Sequence, residues 1–502
     1  MRQIVGLLGT PIDILNMQEA LERLEQFIEQ KRFHQVATAN TDFLINALDD
    51  KELSTILREA DLVVPDGMPL IWAARLMRSP LPERVTGADL VPALAELAAQ
   101  KGYRIFMLGA RPEVAQRARE RFEEDYPGIQ IVGCLSPEAR SLVEMDSESI
   151  LKEIHAAKPD ILFVAFGNPK QEKWIHLHRE QLKAVSICIG VGGTFDFIAG
   201  KTIRAPLWLQ RTGLEWLFRL LQEPRRLWKR YYRDITQFSR YLINQWRAIS
   251  WGHSKGSGEV FYAISGDSTL VSVVGNFSGG VLPRFKEIAE ESFNSHRHLL
   301  LDFQKVTGFD GQALGTLLNL PKRAAFRDCD VRLVAATPRI MRALTQSQIE
   351  DGGYQIAPTI AQAFTNVRTV GLTFEVRRLQ GWAIIQLRGA SERKTVRKLE
   401  MKCHSLLEER CGVELDLSDV SYVDTILLAL LTELAESHAG QFRIRAGEAL
   451  LERLSREKMQ NRLPLFDDSI VTNSMALPAI VAQIELAPVT TAVSASEDIY
   501  EV

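Results

Sequence analysis

The sequence predicts an α/β protein in which the first 200 residues form a largely parallel sheet, followed by a basic helical segment and two smaller α/β domains. Three observations support this architecture. Short apolar runs alternate with helical patterns up to residue 200, the composition becomes strongly basic between 201 and 251, and the remainder contains an internal repeat with an offset of 114 residues. Alternating strands and helices are typical of a sheet with crossover helices.

The predicted strands of the first part are uninterrupted apolar runs, which indicates strands that are covered on both faces. The first helix should begin with a capping box, because Asn16 is followed three residues later by Glu19. Strands are predicted at 3–8, 35–39, 61–64, 103–108, 129–133, 160–166 and 185–191, and helices near 17–31, 41–48, 51–59, 88–101, 111–125, 147–157 and 169–181.

Composition excludes several classes of protein. Apolar residues make up 46% and charged residues 25% of the 502 residues, close to the globular average, and the net charge is −3. A globally basic nucleic-acid binder is therefore not expected, and no nucleic acid is predicted as a partner. Five Cys without a CxxC pair fit the reduced thiols of a cytosolic protein. Neither a signal peptide nor a membrane span is predicted, since no apolar run is long enough.

Residues 201–251 form a basic, tryptophan-rich segment. It contains eleven Lys or Arg against three Asp or Glu, together with Trp208, Trp216, Trp228 and Trp246. Apolar residues recur at helical spacing, and Pro224 divides the segment into two predicted helices. Such an amphipathic segment is attracted to an anionic bilayer surface. The alternative is a pair of helices that pack on the protein core and expose a basic face to solvent.

The C-terminal half is predicted to contain two copies of one domain after a short Gly/Ser linker at 252–258. The sequence LLLDFQKVTGFDGQALGTLL at 299–318 resembles VELDLSDVSYVDTILLALLT at 413–432. Two copies of this length indicate tandem globular domains rather than a solenoid. The predicted limits of the domains are 259–367 and 371–474, and the tail at 475–502 is predicted to be disordered.

Polar residues follow two of the predicted strands, at the edge where open α/β sheets bind ligands. Thr38 and Asn40 lie in VATANTDFL, although Asn40 or Thr41 could simply cap the next helix. Asp66 follows another strand in VVPDG, and a carboxylate there can take a proton from a hydroxyl nucleophile. The alternative is that Pro-Asp-Gly is only a turn.

Two glycine-containing stretches reach the same edge of the sheet. FGNPKQE (166–172) and IGVGGTFDF (189–197) both follow predicted strands and supply Gly and amide groups. GVGG suggests a dinucleotide site, but no GxGxxG follows the first strand, which weakens assignment as a dehydrogenase. Asp196 is a second candidate base, for which a structural hydrogen bond beside the Gly turn is the favoured role.

Taken together, these stretches resemble a known family. The WecG/TagA/CpsF glycosyltransferases carry similar motifs in the same order over about residues 3–245: ATAN, VVPDG, RVTGADL (84–90), MLGA (107–110), FGNPKQE, GVGGTFDF and RAPLWLQRTGLEWLFRLLQEPRRLWKRY (204–231). The resemblance implies a Rossmann-like α/β transferase domain over 1–200 with a helical basic appendage over 201–251.

The resemblance also implies an activity. Members transfer a sugar of the N-acetylmannosamine type from a UDP-sugar to N-acetylglucosamine on an undecaprenyl diphosphate lipid, in the biosynthesis of bacterial surface polysaccharides. Transfer inverts the anomeric centre and is thought to need no metal, so neither a metal nor a cofactor is expected. The enzyme would be cytoplasmic and peripheral on the inner face of the plasma membrane, with an anionic membrane surface as a partner.

Particular residues take roles from the same resemblance. Asp66 matches the proposed catalytic base of the family. The residues that match its pocket lining are Thr38, Asn40, Arg84 and Gln171. The appendage is thought to close over the site, and its proposed diphosphate-binding positions are occupied here by Arg219, Arg226 and, as a lysine, Lys229.

The chemistry agrees with these roles. Breaking a glycosyl–diphosphate bond develops negative charge on the leaving UDP, which Arg side chains can neutralise with paired hydrogen bonds. The nine His are scattered, and His176 and His178 lack the i, i+4 spacing of a helical metal pair. In-line attack by a hydroxyl needs one carboxylate base, for which Asp66 is the candidate.

The repeated domain resembles STAS domains, the fold of anti-sigma-factor antagonists, over about 259–365 and 371–470. Members regulated by phosphorylation carry Ser or Thr after the Asp of this motif, whereas here Asp310 is followed by Gly and Asp424 by Thr425. The first copy therefore cannot take phosphate at this loop, and a structural role is favoured for Thr425. The pair is predicted to bind a protein partner or each other; the alternative is that it stabilises a homo-oligomer.

Two functions follow from these features. The first is a membrane-associated, UDP-sugar-dependent glycosyltransferase with two non-catalytic STAS-like modules. The alternative is a catalytically inactive regulatory or scaffold protein that binds lipid-linked sugar. The enzyme is favoured by the presence of Asp66, Gln171, Arg219 and Arg226.

Overall fold

The computed structural model forms two compact units, Met1–Asn366 and Val367–Val502. It describes residues 2–466 apart from short stretches, and both the predicted tail and all but the last residue of the predicted linker lie outside the described residues. The stretches left out within that range are 139–140, 143, 213, 223, 251–257, 335–336, 350–353, 358–359, 366–372, 380–381, 392, 410, 458 and 460–462.

The first unit contains a parallel sheet. A hairpin precedes this sheet and consists of β1 Ile4–Leu7 and β2 Thr10–Asp13. The strands of the sheet are β3 His34–Ala39, β4 Leu62–Pro65, β5 Arg104–Gly109, β6 Gln130–Leu135, β7 Ile161–Ala165 and β8 Ile187–Gly190. Strands β3 to β8 pair in parallel in the order β4-β3-β8-β7-β5-β6. Every residue of β3, β4, β7 and β8 is buried, because helices cover both faces. The predicted α/β class with a largely parallel sheet is confirmed.

Helices connect these strands, and local sequence determines where several of them begin. Asn16 and Glu19 form the predicted capping box at the start of the first helix, and Asn40 and Thr86 cap two helices that start at the carboxyl edge of the sheet. The helices are α1 Met17–Glu29, α2 Thr41–Asp49, α3 Lys51–Glu59, α4 Met68–Leu76, α5 Gly87–Lys101, α6 Pro112–Asp125, α7 Ser147–Ala157, α8 Lys170–Leu177 and α9 Thr194–Ile198.

The run at 3–8 does not join the parallel sheet, so the expectation that it does is wrong. β1 pairs with β2 in an antiparallel hairpin, and the turn at Leu8 and Gly9 has positive φ angles of 48° and 81°. All residues of the hairpin strands are buried. A fully apolar run indicates burial but does not say which element provides the cover. Here the cover comes from a helix more than 300 residues later in the chain.

The basic segment forms α10 Leu207–Thr212, α11 Glu215–Gln222 and α12 Pro224–Ile249. α12 begins at Pro224, where the sequence predicts a break, because Pro is favoured in the first turn of a helix. One face of α12 buries Leu227, Phe238 and Gln245, while the other exposes Trp228 and Tyr232. The buried face agrees with the interpretation that the segment packs on the protein core, and contact of the exposed face with a membrane stays a prediction. None of the helices in the described part of the chain is both long and apolar enough to cross a membrane.

The first C-terminal repeat belongs to the same unit as the transferase sheet. It contains β9 Glu259–Ser265, β10 Ser268–Phe277, α13 Leu282–Asn294, β11 His298–Phe309, α14 Gly311–Ala325, β12 Val331–Val334, α15 Pro338–Gln346, β13 Gln355–Ala357 and α16 Ile360–Thr365. Its five strands are ordered β13-β12-β11-β10-β9, with β9 antiparallel. α14 packs on the β1–β2 hairpin, and one hydrophobic core includes Val5 and Leu7 of the hairpin with Leu314 and Leu317 of α14.

The second unit repeats this topology. It contains β14 Thr373–Leu379, β15 Trp382–Ala390, α17 Arg393–Glu408, β16 Gly412–Tyr422, α18 Thr425–Ser437, β17 Phe442–Arg445, α19 Glu448–Glu457 and β18 Leu465–Phe466. Its strand order, β14-β15-β16-β17-β18, and its single antiparallel pair match the first copy. Asp424 caps α18 as Asp310 caps α14. Thr425 is buried and its hydroxyl accepts a hydrogen bond of 2.9 Å from Arg453, which agrees with a structural role.

Candidate active site

Asp66 lies at the carboxyl end of β4, immediately before α4. Its backbone N–H donates to the carbonyl oxygen of Ala39 at 2.7 Å, and its Oδ2 accepts from the N–H of Gly87, the first residue of α5, at 3.2 Å. The carboxylate therefore faces a helix N-terminus, where unpaired N–H groups stabilise negative charge. The strand-end position agrees with the sequence prediction, and the bond to α5 shows that Pro-Asp-Gly does more than form a turn.

Burial raises the pKa of Asp66 to about 6. The N–H of Gly87 and the charges of Arg84 and Arg219 favour the carboxylate and oppose this shift, whereas Glu215 adds to it. The result is a carboxyl group that is ionised at neutral pH but more basic than an ordinary Asp. Such a group is suited to accept a proton from a hydroxyl.

Thr38 lies on β3, next to the strand that leads to Asp66. Its Oγ1 donates to the carbonyl oxygen of Gly190 on β8 at 3.3 Å. A Cβ added to Gly87 would lie 3.4 Å from the same Oγ1, so Thr38 packs directly against the helix end that binds Asp66. The structure therefore brings this predicted pocket residue to the site.

Asn40 follows β3, next to the residue whose carbonyl oxygen accepts from the N–H of Asp66. Its Oδ1 accepts from the N–H of Phe43 at 3.2 Å, so the capping role left open by the sequence is filled. Its Cβ also lies 4.0 Å from the position that a Cβ on Gly67, the residue after Asp66, would occupy. Asn40 is therefore both a helix cap and a neighbour of the candidate base.

Two ion pairs connect the appendage to α5 and the residues just before it, beside Asp66. Arg84 Nη1 lies 2.8 Å from Glu215 Oε2 in α11, and both side chains are largely buried. Arg204, in the segment before α10, forms two hydrogen bonds with the Asp89 carboxylate in the first turn of α5, one of them 2.8 Å between Nη2 and Oδ2. These contacts hold α11 next to the carboxyl end of β4.

Arg219 is an appendage arginine that the structure brings to the site. It lies one helical turn after Glu215, and its guanidinium carbon is 5.1 Å from the centre of the Phe197 ring. Its positive charge acts on the Asp66 carboxyl. The predicted placement of an arginine from the basic segment near the candidate base therefore agrees with the structure.

The remaining candidates differ in what the structure says of them. Lys229 is exposed, with its ammonium 5.9 Å from the centre of the Trp228 ring. The side chain of Arg226 lies outside the described residues. Asp196 forms an ion pair of 3.4 Å with Lys201, which fits the structural role that the sequence favours for it.

Gln171 connects two loops of the carboxyl edge. Its Oε1 accepts from the N–H groups of Gly167 at 3.1 Å and Gly192 at 3.0 Å, and its Nε2 donates to Glu172 Oε1 at 2.7 Å. The side chain is only 1% exposed. Its amide therefore fixes the loops after β7 and β8, and its predicted contact with substrate stays a prediction.

Sequence reasoning missed several residues that organise this site. Glu172 is buried, accepts from Asn168 Nδ2 at 3.2 Å as well as from Gln171, and has its pKa raised to about 7 by burial. In the sequence, Glu215 is one of three acidic residues in the basic segment and Arg204 is one of its eleven basic residues. FGNPKQE contained the signal for Glu172, but nothing in the sequence pairs Glu215 or Arg204 with residues more than 100 positions earlier.

Comparison with known proteins identifies the family. The model of the glycosyl transferase WecG/TagA/CpsF family matches residues 5–251. The N-acetylglucosaminyldiphosphoundecaprenol N-acetyl-beta-D-mannosaminyltransferase of Bacillus spizizenii is 33% identical over 230 residues, 46% of this chain and 86% of the relative. The chain belongs to the WecG/TagA/CpsF glycosyltransferase family. It is a glycosyltransferase, as the resemblance implied.

Further relatives of the same name come from other bacteria. The Bacillus subtilis protein is 36% identical over 43% of this chain and 82% of its own length. A Staphylococcus aureus protein is 29% identical over 45% of this chain and 86% of its own. A STAS domain model matches residues 262–363, which confirms the resemblance of the first repeat. The second repeat shares its topology, and its STAS assignment stays a prediction.

Proposed function

We propose that this glycosyltransferase transfers N-acetylmannosamine from its UDP-sugar to N-acetylglucosamine on undecaprenyl diphosphate. The names of the relatives support both the sugar and the acceptor. The observation that carries the proposal is the Asp66 carboxylate, which lies at the N-terminus of α5 within the electrostatic influence of Arg84 and Arg219. A base, a helix N-terminus and two guanidinium groups at one place suit transfer from a diphosphate donor to a hydroxyl.

In this proposal Asp66 is the general base. Its carboxylate accepts the proton of the acceptor hydroxyl while that oxygen attacks C1 of the donor sugar. The bond between C1 and the UDP oxygen breaks on the opposite face, so the anomeric configuration inverts and UDP leaves with the bonding electron pair. The transfer balances without a metal or a cofactor, because guanidinium groups neutralise the charge that develops on UDP.

The diphosphate would bind between the sheet and the appendage. Arg219, and Arg226 by its match to the family, contribute positive charge from the appendage. Arg84 is paired with Glu215, so a diphosphate that binds Arg84 competes with that carboxylate for the guanidinium group. Thr38 and Asn40, which lie near Asp66, are proposed to contact the donor sugar.

The exposed face of α12 is proposed to rest on the inner surface of the bacterial plasma membrane, which makes the enzyme cytoplasmic and peripheral. Trp228 and Tyr232 are 52% and 68% exposed, and Arg225 and Lys229 are exposed on the same face. Aromatic and basic residues on one helix face suit an anionic interface. Flotation with anionic vesicles should weaken for Trp228→Ala combined with Tyr232→Ala, but not for Phe326→Ala, which removes an equally exposed ring from α14's C-terminal cap.

The direct test is release of UDP from a panel of UDP-sugars with a short-chain lipid-diphosphate N-acetylglucosamine acceptor, in the presence of EDTA. We expect release that depends on the acceptor and is greatest with UDP-N-acetylmannosamine. Asp66→Asn should lower turnover by about 10²–10⁴-fold while donor binding persists. Asp196→Asn is the matched control and should retain turnover.

Two results would overturn this proposal. Turnover of Asp66→Asn at the wild-type rate would remove the general base. Absence of release from every donor, with folded protein that still binds lipid-linked sugar, would instead support the regulatory or scaffold alternative.

A further inference from the structure

The transferase and the first STAS domain make backbone-to-backbone contact through glycine. A Cβ added to Gly315 of α14 would lie 2.5 Å from the carbonyl oxygen of Ile4, and one added to Gly6 would lie 2.8 Å from the backbone nitrogen of Gly315. A Cβ on Gly311 would lie 2.5 Å from Val5 Cγ2. Real Cβ atoms do not approach other atoms this closely, so the contact requires glycine on both sides.

The C-terminal end of α14 binds the segment that leads into β4. Lys322 Nζ donates to the carbonyl oxygen of Glu59 at 2.7 Å and to Asp61 Oδ1 at 3.1 Å. Lys322 also lies 3.3 Å from the carbonyl oxygen of Ala60. The ammonium group thereby donates to three oxygens directly before β4, the strand that leads to Asp66.

The N-terminal end of α14 binds the segment that follows α4. The N–H of Gly311 donates to the carbonyl oxygen of Met77 at 2.9 Å, and the N–H of Gln312 donates to Ser79 Oγ at 2.9 Å. These are N–H groups of the first turn of a helix, which have no partner within the helix itself. The chain after α4 therefore completes the N-terminus of α14.

The two sets of contacts enclose the same element. β4, Asp66 and α4 form one continuous segment, residues 62–76, and the single helix α14 is hydrogen-bonded to the chain on both sides of it. We propose that α14 of the first STAS domain is a positioning element of the transferase, which holds the segment 62–76 so that the Asp66 carboxylate meets the acceptor hydroxyl. This inference rests on the proposed function of Asp66.

The proposal gives the first STAS domain a task that does not need an external partner. A helix is stiff along its length, so contacts at its two ends fix the distance between residues 61 and 77. A shift of about 1 Å in a catalytic group can lower a rate by about a hundredfold. Residues such as Lys322 therefore act on catalysis through Asp66 and not by contact with substrate.

The test uses the full chain with Lys322→Met, which keeps the length of the side chain and removes its three hydrogen bonds. Arg323→Met is the matched control, because it removes the same charge from the next position but breaks an ion pair with Glu290 inside the STAS domain. Measured quantities are kcat, the KM for the UDP-sugar, the pH at which activity falls on the acid side, and hydrogen exchange of peptides that cover 62–78.

For Lys322→Met we expect kcat to fall by about tenfold to a hundredfold with little change in donor KM, faster exchange over 62–78, and an acid limb at lower pH because a looser Asp66 is better hydrated. Arg323→Met should match the wild type in all four measured quantities. If hydrogen exchange over 62–78 were unchanged in Lys322→Met, or faster while kcat stayed the same, the proposal would be overturned.

The exchange measurement separates this inference from the function on which it rests. If the wild type transferred no sugar but Lys322→Met still exchanged faster over 62–78, the contact would hold and the proposed function would fail. Gly315→Ala is a second route to the same result, since its Cβ must push α14 away from Ile4.

Discussion

The two C-terminal repeats have the same sheet and the same Asp cap but different surfaces on the helix that follows the cap. Three of the residues by which α14 contacts the transferase differ in kind from their equivalents in α18, which are a β-branched residue, an alanine and an acid. The pairs are Gly311 and Thr425, Gly315 and Ala429, and Lys322 and Glu436.

This difference shows that the fold alone does not determine what a STAS domain contacts. A side chain at 311 or 315 would collide with the β1–β2 hairpin or with residues after α4, and an acid at 322 would face Asp61. The second copy could therefore not take the place of the first on this surface. The transferase covers this face of the first copy, and binding of a protein partner by the repeats stays a prediction.

Replacement of the charged residue by its equivalent from the other copy should have the largest effect on stability. Lys322→Glu removes the ammonium group that donates to Asp61 and to two carbonyl oxygens, and it places a second carboxylate beside Asp61. This change should cost about 3–5 kcal/mol of unfolding free energy in the first unit. Glu436→Lys, at an exposed position of α18, should change stability by less than about 0.5 kcal/mol. Calorimetry of each full-length variant measures the two transitions. Similar losses from both variants would show that the contact of Lys322 is not special.

Replacement of the glycine at 315 should have the next largest effect on stability, and it should destabilise the protein although Gly→Ala in a helix usually stabilises. Ala is preferred over Gly in a helix by about 1 kcal/mol, so Gly→Ala commonly stabilises. Gly315→Ala should instead destabilise the first unit by about 1–3 kcal/mol, because its Cβ overpacks against Ile4. Ala429→Gly should cost about 1 kcal/mol from helix propensity alone. A more stable Gly315→Ala protein would contradict the close backbone contact.

Removal of the Asp cap that both copies share should have the smallest effect on stability, and the loss should be nearly equal in the two copies. Asp310 accepts from the N–H of Ala313 at 2.8 Å and Asp424 from that of Leu427 at 2.8 Å, and Asp310 also accepts from Gly279 at 2.9 Å. Either Asp→Ala change should cost about 1 kcal/mol, with Asp310 slightly more costly. Hydrogen exchange in the first turn of each helix measures the loss. An effect in one copy alone would mean that the caps are not equivalent.

Sequence patterns predicted most of the fold because they depend on local rules. Apolar runs located all six strands of the parallel sheet, and strand ends located Asp66. The hairpin strand at 3–8 was misplaced, because burial by a distant helix and burial within a sheet leave the same apolar pattern. The ion pairs of Glu215 and Arg204, and the contacts of Lys322, join residues more than 100 positions apart, so no periodicity or spacing could reveal them.

The central claim is that Asp66 acts as the base, and the pH dependence of kcat/KM for acceptor-dependent UDP release tests it most directly. Burial raises the pKa of Asp66 to about 6, and a general base works only when deprotonated. Wild-type activity should therefore be full above this pH and fall as the pH drops through about 6. The residual activity of Asp66→Asn should lack this limb. A limb near pH 4 would contradict the account. A limb near pH 6 that persists in Asp66→Asn would assign the base to another group, such as Glu172, whose pKa burial raises to about 7.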